Sequence, residues 1–350
     1  MGAFLFARHL QLQGEQVVFA ALDDVPSGLH DEIVASGVPT HSFRLGGWLG
    51  MRNRGSVQKY VDAAGIDVVM SDGLRPDIVA SGLRGLTRVS NVRGLLAEHY
   101  ALDYPVGVAQ LATWAQARAL RKLDRVFTIS PEIAEHVAGL GVAPDRVRMV
   151  DNFIDVEAVV SAGRGGPQLG AGVHIGLFGA LIRRKRIDIA LRGFAGLLNA
   201  SNGFDATLHV VGDGPLCAKL AKLAVELRVL ERVVFHGFVA HPLPLMAKMD
   251  VVLLTSDREG VPRSLMEAMA LGRTCVSSAF PGITSIIQDG ETGYVFKLGD
   301  SEELTSVLAN VIGGEGISQD WLLAYMMTRH DVGVCATEMW RQIQQIAPVR

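Results

Sequence analysis

Apolar runs of strand length recur along this chain, and each is followed by a turn and then by a stretch of helical periodicity. The first half contains QVVFAA (16–21), IDVVMS (66–71), TRVSNV (87–92) and DRVFTIS (124–130). The second half restarts with VHIGLFG (173–179), ATLHVVG (206–212), RVVFHG (232–237) and DVVLLTS (250–256). These runs are mostly apolar rather than alternating, as in parallel strands covered on both faces. Strands taking turns with helices predict an α/β protein built from doubly wound sheets. Between the two sets lies GRGGPQLGAG (163–172), whose five glycines and one proline read as a flexible linker. A chain of 350 residues is long for one core and comfortable for two domains. The expected architecture is two Rossmann-like domains facing across a cleft. Such sheets bind ligands in the crevice beyond the carboxyl ends of their strands.

Every candidate site in the second half falls at one of those strand ends. The most informative is DREGVPRSLMEAMALGRTCVSS (257–278), in which seven residues separate Glu259 from Glu267. Pro262 suits a first helical position, the following residues are good helix formers, and Gly272 is a natural stop. Glu259 and Gly260 therefore lie in the loop feeding a helix, with Glu267 on its second turn. A helix start favours a bound phosphate, and two carboxylates at this spacing suit the hydroxyls of a sugar. Dipole compensation and a solvated helix face are the plain alternatives, but Leu265, Met266, Ala268 and Met269 surround Glu267 with apolar neighbours. After the 173–179 run, Arg183, Arg184, Lys185 and Arg186 are clustered, suited to a diphosphate or simply to solvent. Gly212 in GDGP provides a tight turn into a helix. His236 and His241 read as ordinary polar residues.

Composition narrows the rest. A formal net charge of −3 gives no electrostatic case for nucleic acid. The three cysteines are far apart and suggest neither a zinc site nor a disulfide framework, which fits a reducing cytoplasm. No metal-ligand cluster is evident, so no metal and no cofactor are expected. There is no apolar run of membrane-spanning length and no signal-peptide pattern. No G-x-G-x-x-G follows a strand, which disfavours an oxidoreductase. One helical segment, 107–122, carries Leu111, Trp114 and Leu120 with Arg118, Arg121 and Lys122. It reads either as a core-packing amphipathic helix or as one that touches an anionic membrane.

The block EGVPRSLMEAMALG resembles the signature of glycosyltransferase family 4, retaining enzymes of the GT-B fold, and GDGP, FHGFV, QDGETGYVF and NFID follow the order of its weaker motifs. The resemblance runs over nearly the whole chain and is dense from Gly179 to Phe296. It implies transfer of a sugar from a nucleoside-diphosphate sugar, UDP- or GDP-linked, to a glycan or lipid-linked acceptor, as in surface polysaccharide or lipopolysaccharide assembly. Glu259 would contact the donor sugar, Glu267 the ribose and Lys185 the diphosphate. Gly179, Gly212, Gly237, Phe238, Gly260 and Val261 would line the donor site. The implied location is the cytoplasm, with peripheral contact at the inner face of the cell membrane. A nucleotide-sugar epimerase of the same fold, and a non-catalytic nucleotide-sugar-binding protein or inactive fragment, are the alternatives.

Several positions depart from the family pattern. Ala180 follows Gly179 where an arginine is usual, leaving Arg183 or Arg184 to supply the charge. Arg93 stands where a histidine is frequent, as a catalytic candidate on the sugar or phosphate, with His99 a rival. The chain opens inside what reads as the first helix, with Gly2 a remnant of a glycine-rich loop, so the first domain is expected to lack its first strand. The resemblance also implies that the C-terminal helix returns to the first domain. The expected division is therefore 1–165 plus 319–350 on the acceptor side, where Gly2 and His99 would sit, and 166–318 for the donor.

Overall fold

A computed structural model describes residues 2–23, 33, 37–46, 54–200, 204–260 and 262–347; the side chains at 54, 98, 99, 102 and 103 lie outside that description. The chain divides into two compact units, Met1–Phe153 with Val332–Arg350, and Ile154–Asp331.

In the first unit, β1 (Phe19–Ala21) pairs in parallel with β2 (Thr40–Ser42). A separate parallel sheet has the order β3 (Val68–Ser71), β4 (Thr87–Val92), β5 (Arg125–Thr128) and β6 (Val147–Met149). Among the described residues the two sheets share no ladder. Helix Gly2–Leu12 contributes Phe6 and Leu10 to a core completed by Val89, Phe127, Met339 and Ile343. The last two lie on helix Val332–Gln344, so the end of the chain packs beside its beginning. Trp340 Nε1 donates to Glu15 Oε1 at 3.0 Å. The other terminal helix, Gln319–Arg329, belongs to the second unit.

The second unit is one parallel sheet of six strands: β7 (Val173–Phe178), β8 (Ala206–Val211), β9 (Val233–Gly237), β10 (Val251–Leu254), β11 (Thr274–Ser278) and β12 (Tyr294–Phe296). Their spatial order is β12-β11-β10-β7-β8-β9, which reverses direction between β7 and β10. Both faces are covered, as the continuous apolar runs require. Val251 and Leu253 enter one core, with helices Ile187–Asn199 and Ser301–Asn310; Val252 and Leu254 enter the other, with helices Arg263–Ala270 and Gln319–Arg329. Each fully buried leucine or valine contributes roughly 1.5–3 kcal/mol. Loops after β7 and after β10 leave toward opposite faces, so a crevice opens at their carboxyl ends.

The unit boundary differs from the one expected at 165 and 318. Segments 154–165 and 319–331 pack in the second unit because Val156, Val159, Leu322 and Met326 fill its core. The glycine-rich stretch at 163–172 is not a flexible linker. A Cβ on Gly166 would stand 2.0 Å from the Pro244 carbonyl oxygen, and one on Gly163 would stand 2.4 Å from Leu271. Gly163, Gly166 and Gly172 are there for close packing. The sequence-predicted strands stand where they were expected, 87–92 at its full length and the other runs shorter by one to three residues. No helix among the described residues is long and apolar enough to cross a membrane.

Each unit buries an unusual polar cluster. In the first, Asp77 is fully buried; Ser71 and Ser90 donate to its Oδ1 at 2.6 and 2.8 Å, and Gln116 Nε2 donates to Oδ2 at 2.7 Å. Burial outweighs those donors and pushes its pKa up to about 6. In the second, three imidazoles run across neighbouring strands. His174 Nε2 lies 3.0 Å from the Gly170 carbonyl oxygen, His174 Nδ1 lies 3.0 Å from His209 Nε2, and His209 Nδ1 lies 2.9 Å from His236 Nε2. A carbonyl only accepts, so His174 carries its proton on Nε2, and the neutral chain has every Nε2 donating in one direction. Burial and the two flanking rings push the His209 pKa down to about 4.

The two clusters have opposite pH consequences. Asp77 has a raised folded pKa, so its contribution is fully present below its unfolded value of about 4 and is lost as pH rises through about 6. Asp77→Asn should therefore gain stability with rising pH, reaching roughly 2–3 kcal/mol relative to the wild type at pH 8. Urea denaturation across that range measures it; a pH-independent difference would show that Asp77 does not titrate as described. His209 has a depressed folded pKa, so the second unit should lose stability as pH falls from about 6.5 toward 4.

Candidate active site

The sharpest concentration of charge in the second unit lies at the reversal point of its sheet. After β7, the chain turns at Gly179, where φ is +151°, and runs through Arg183, Arg184 and Lys185 into the helix at Ile187. Gly212, ending β8, sits directly on this turn: a Cβ there would stand 2.0 Å from the Gly179 carbonyl oxygen, so no other residue fits. After β10, residues Thr255 to Gly260 form the facing loop. The loops are stitched together by Thr255 Oγ1 donating to the Lys185 carbonyl at 2.9 Å, and by the Asp257 amide donating to the Arg184 carbonyl at 2.9 Å. Arg186, at φ +46°, is held by Asp188 and Asp257, each at 3.1 Å.

Glu259 is the centre of this arrangement. Its side chain is 8% exposed. Lys185 Nζ lies 2.7 Å from Oε1, Arg184 donates to Oε2 at 2.7 Å, and Ser256 Oγ donates to Oε1 at 2.6 Å. Burial alone would raise its pKa, but Lys185, Ser256 and Arg184 hold it below the usual carboxylate range. Arg184 also donates to the Arg258 carbonyl at 2.7 Å. Arg183 is exposed to solvent. Of the two arginines proposed to replace the charge absent at Ala180, Arg184 is the one brought to the carboxylate.

Helix Arg263–Ala270 begins just beyond, with Pro262 as its cap residue. Its apolar face supplies Leu265, Met266 and Met269 to the core, which fixes the direction of Glu267 on the turn between them. Glu267 is 14% exposed and accepts from Arg263 Nε at 2.6 Å. Burial pushes its pKa up, in contrast to Glu259. Gly260 is exposed, and Val261 lies outside the described residues. Gly237, at φ +67°, turns the chain out of β9 and leaves Phe238 80% exposed. Such exposure of an aromatic ring leaves a whole face for a planar ligand.

In the first unit, Arg93 follows β4 and Asp72 follows β3, so adjacent strand ends bring them together at 2.7 Å. Gly2 starts the first helix against this pair: a Cβ on it would stand 2.8 Å from the Arg93 guanidinium. His99 lies on helix Leu96–Asp103, with its side chain outside the described residues. Among the described residues, no group of His, Cys, Asp or Glu is arranged to hold a metal ion. Sequence reasoning missed Ser256, Asp257 and Asp72. The first two flank the glutamate motif directly, which was the available signal; Asp72 follows the strand next to that of Arg93.

Residues 2–158 match the family model described as Glycosyltransferase Family 4, and residues 172–313 match the one described as Glycosyl transferases group 1. The chain belongs to this glycosyltransferase family. Over 129 residues it is 35% identical to the N-acetyl-alpha-D-glucosaminyl L-malate synthase of Bacillus anthracis, covering 37% of this chain and 32% of that protein. Over 245 residues it is 26% identical to the lipopolysaccharide core biosynthesis glycosyltransferase LpsE of Rhizobium meliloti, covering 69% of this chain and 67% of that protein. The matches thus span from about a third to about two thirds of these relatives. The solved structure of Anabaena HepE in complex with UDP superposes with a TM-score of 0.83 at 19% identity, over 99% of this chain and 97% of that one. The fold is the two-domain GT-B α/β architecture.

The loop ion pair has a measurable energy. Lys185→Met leaves the buried Glu259 with one cation fewer and should destabilise the second unit by roughly 1–3 kcal/mol. Combined with Glu259→Gln, the loss should be smaller than the sum of the two single losses, by roughly 0.5–3 kcal/mol. Urea denaturation of the four proteins provides the cycle, and additive losses would show that the pair contributes nothing.

Proposed function

We propose that this chain transfers a sugar from a nucleoside-diphosphate sugar to a glycan or lipid-linked acceptor, with retention of configuration, in surface polysaccharide or lipopolysaccharide assembly. The observation that carries the reading is the Lys185–Glu259–Arg184 cluster at the reversal point of the sheet, beside a helix bearing Glu267. Lys185 and Arg184 would neutralise the charge growing on the diphosphate as the sugar leaves, and the start of helix Arg263–Ala270 would add its amide dipoles. Glu259 would hold the sugar and Glu267 the ribose. Gly179, Gly212 and Gly237 give the donor close access to backbone, and Phe238 offers a ring to the base. Arg93 is the first-unit candidate to contact the sugar or phosphate, and Gly2 and His99 are assigned to the acceptor side.

The relatives favour this assignment. LpsE acts in lipopolysaccharide core biosynthesis, and HepE was solved with UDP, which favours a uridine donor over a guanosine one. Three cysteines that form no disulfide suit the cytoplasm. A lipid-linked acceptor also implies peripheral contact with a membrane. No cofactor is needed for chemistry of this kind.

The contacts of Glu259 shape the expected ligand binding. Glu259 already engages both cations assigned to the diphosphate, so donor binding should redistribute the hydrogen bonds of Lys185 and Arg184 between carboxylate and phosphate. Glu259→Gln should therefore bind UDP at least as tightly as the wild type while losing sugar transfer. Glu267→Ala and Lys185→Ala should each weaken UDP binding by roughly 1–3 kcal/mol, and only Glu267→Ala should weaken uridine as well. Calorimetry with UDP, GDP and uridine, together with product analysis with and without acceptor, tests the set. Failure of the wild type to bind either diphosphate would overturn the proposal. Conversion of the donor sugar without acceptor would point to an epimerase.

A further inference from the structure

Helix Val106–Leu120 divides its apolar residues in an unexpected way. Ala109, Ala112, Ala117, Ala119 and Leu120 are buried, and this small-residue face carries its packing on the first unit. The large apolar residues point the other way. Val106 is 75% exposed, Leu111 63%, Trp114 57% and Val108 47%, and none of them belongs to any core cluster of the described residues. A helix that served only to cover the sheet would have them turned inward.

The charge along the same exposed side is one-signed. Arg118 places its guanidinium 5.8 Å from the centre of the Trp114 ring, and Arg121 and Lys122 follow at the end of the helix. Arg146 joins them, donating to the carbonyl oxygens of Arg121 and Leu123 at 3.4 and 3.3 Å. Between Asp103 and Asp124 the chain has no acidic residue. Large apolar side chains and cations together on one exposed side match a surface that meets the headgroup region of an anionic bilayer, with tryptophan at the interface. Four scattered side chains on one helix are too few for a stable protein interface, which engages about 20–30 residues a side. They suffice for a shallow insertion strengthened by charge.

We propose that the exposed face of Val106–Leu120, with Arg118, Arg121, Lys122 and Arg146, docks the protein on the surface of an anionic lipid bilayer. The inference rests on the transferase reading for its purpose, since a lipid-linked acceptor is presented at such a surface, but it stands on separate residues. None of them belongs to the candidate active site.

Co-sedimentation of the full chain with vesicles tests it, without donor or acceptor present. Vesicles of equal parts phosphatidylglycerol and phosphatidylcholine should bind the protein, and pure phosphatidylcholine should bind it far more weakly. Replacing Arg118, Arg121 and Lys122 with Gln should weaken binding by about a hundredfold, near a fivefold for each charge. Leu111→Ser with Trp114→Ser should abolish binding at high salt, where charge is screened. All are exposed positions, and a circular dichroism spectrum and urea denaturation midpoint matching the wild type would confirm that the variants are folded. Brominated lipid should quench the fluorescence of the wild type more than that of Trp114→Phe. Equal vesicle binding by wild type and variants, or none by the wild type, overturns the proposal while leaving the transferase reading intact. A change of oligomeric state in Leu111→Ser with Trp114→Ser would instead make this face an interface between two copies, and would equally overturn it.

Discussion

The buried ion pair between Glu259 and Lys185 is the interaction on which the candidate site depends. A carboxylate with 8% exposure is costly unless its charge is met, and here two cations and a hydroxyl meet it. The pair joins loops that follow β7 and β10, strands adjacent in the sheet but separated by two others along the chain. It acts together with the Arg184–Glu259 and Arg186–Asp257 ion pairs and the Thr255 hydroxyl, which link the same two loops where the sheet reverses. With it, the crevice has fixed walls and a stored set of charges.

The same pair explains why the two glutamates of one motif are electrostatically different. Glu259 is held ionised by Lys185, Ser256 and Arg184, whereas burial dominates at Glu267, whose ion-pair partner Arg263 is itself half-exposed. Both are stabilised by any ligand that brings hydroxyl donors. In the proposed function, a diphosphate joined to a sugar would bring an anion for the cations around Glu259 and hydroxyls for its carboxylate together.

Outside the site, polar groups are buried in networks whose direction follows from hydrogen-bond chemistry. The Gly170 carbonyl fixes the tautomer of His174, and through it those of His209 and His236. Asp77 ties β3 and β4 to helix Val106–Leu120 through Gln116. That anchor holds the helix by its inner face, and it accounts for how a helix with so small-sided a packing surface can leave Leu111 and Trp114 in solvent.

The α/β class, the strands and their order along the chain, and the glutamate motif with its glycine turns were all legible in the sequence, because they follow from local periodicity, turn chemistry and spacing. Glycine carried two meanings that sequence alone does not separate. At 163–172 it suggested flexibility, and packing against Pro244 and Leu271 revealed close approach instead. Only the tertiary structure chose Arg184 over Arg183, since the choice depends on which side chain the turn after β7 directs toward Glu259. It alone moved residues 319–329 into the second unit, because the destination of Leu322 and Met326 is set by a core made from distant strands. It alone turned Leu111 and Trp114 outward while burying Leu120. An amphipathic sequence specifies a face, and contact with the rest of the molecule decides where that face points.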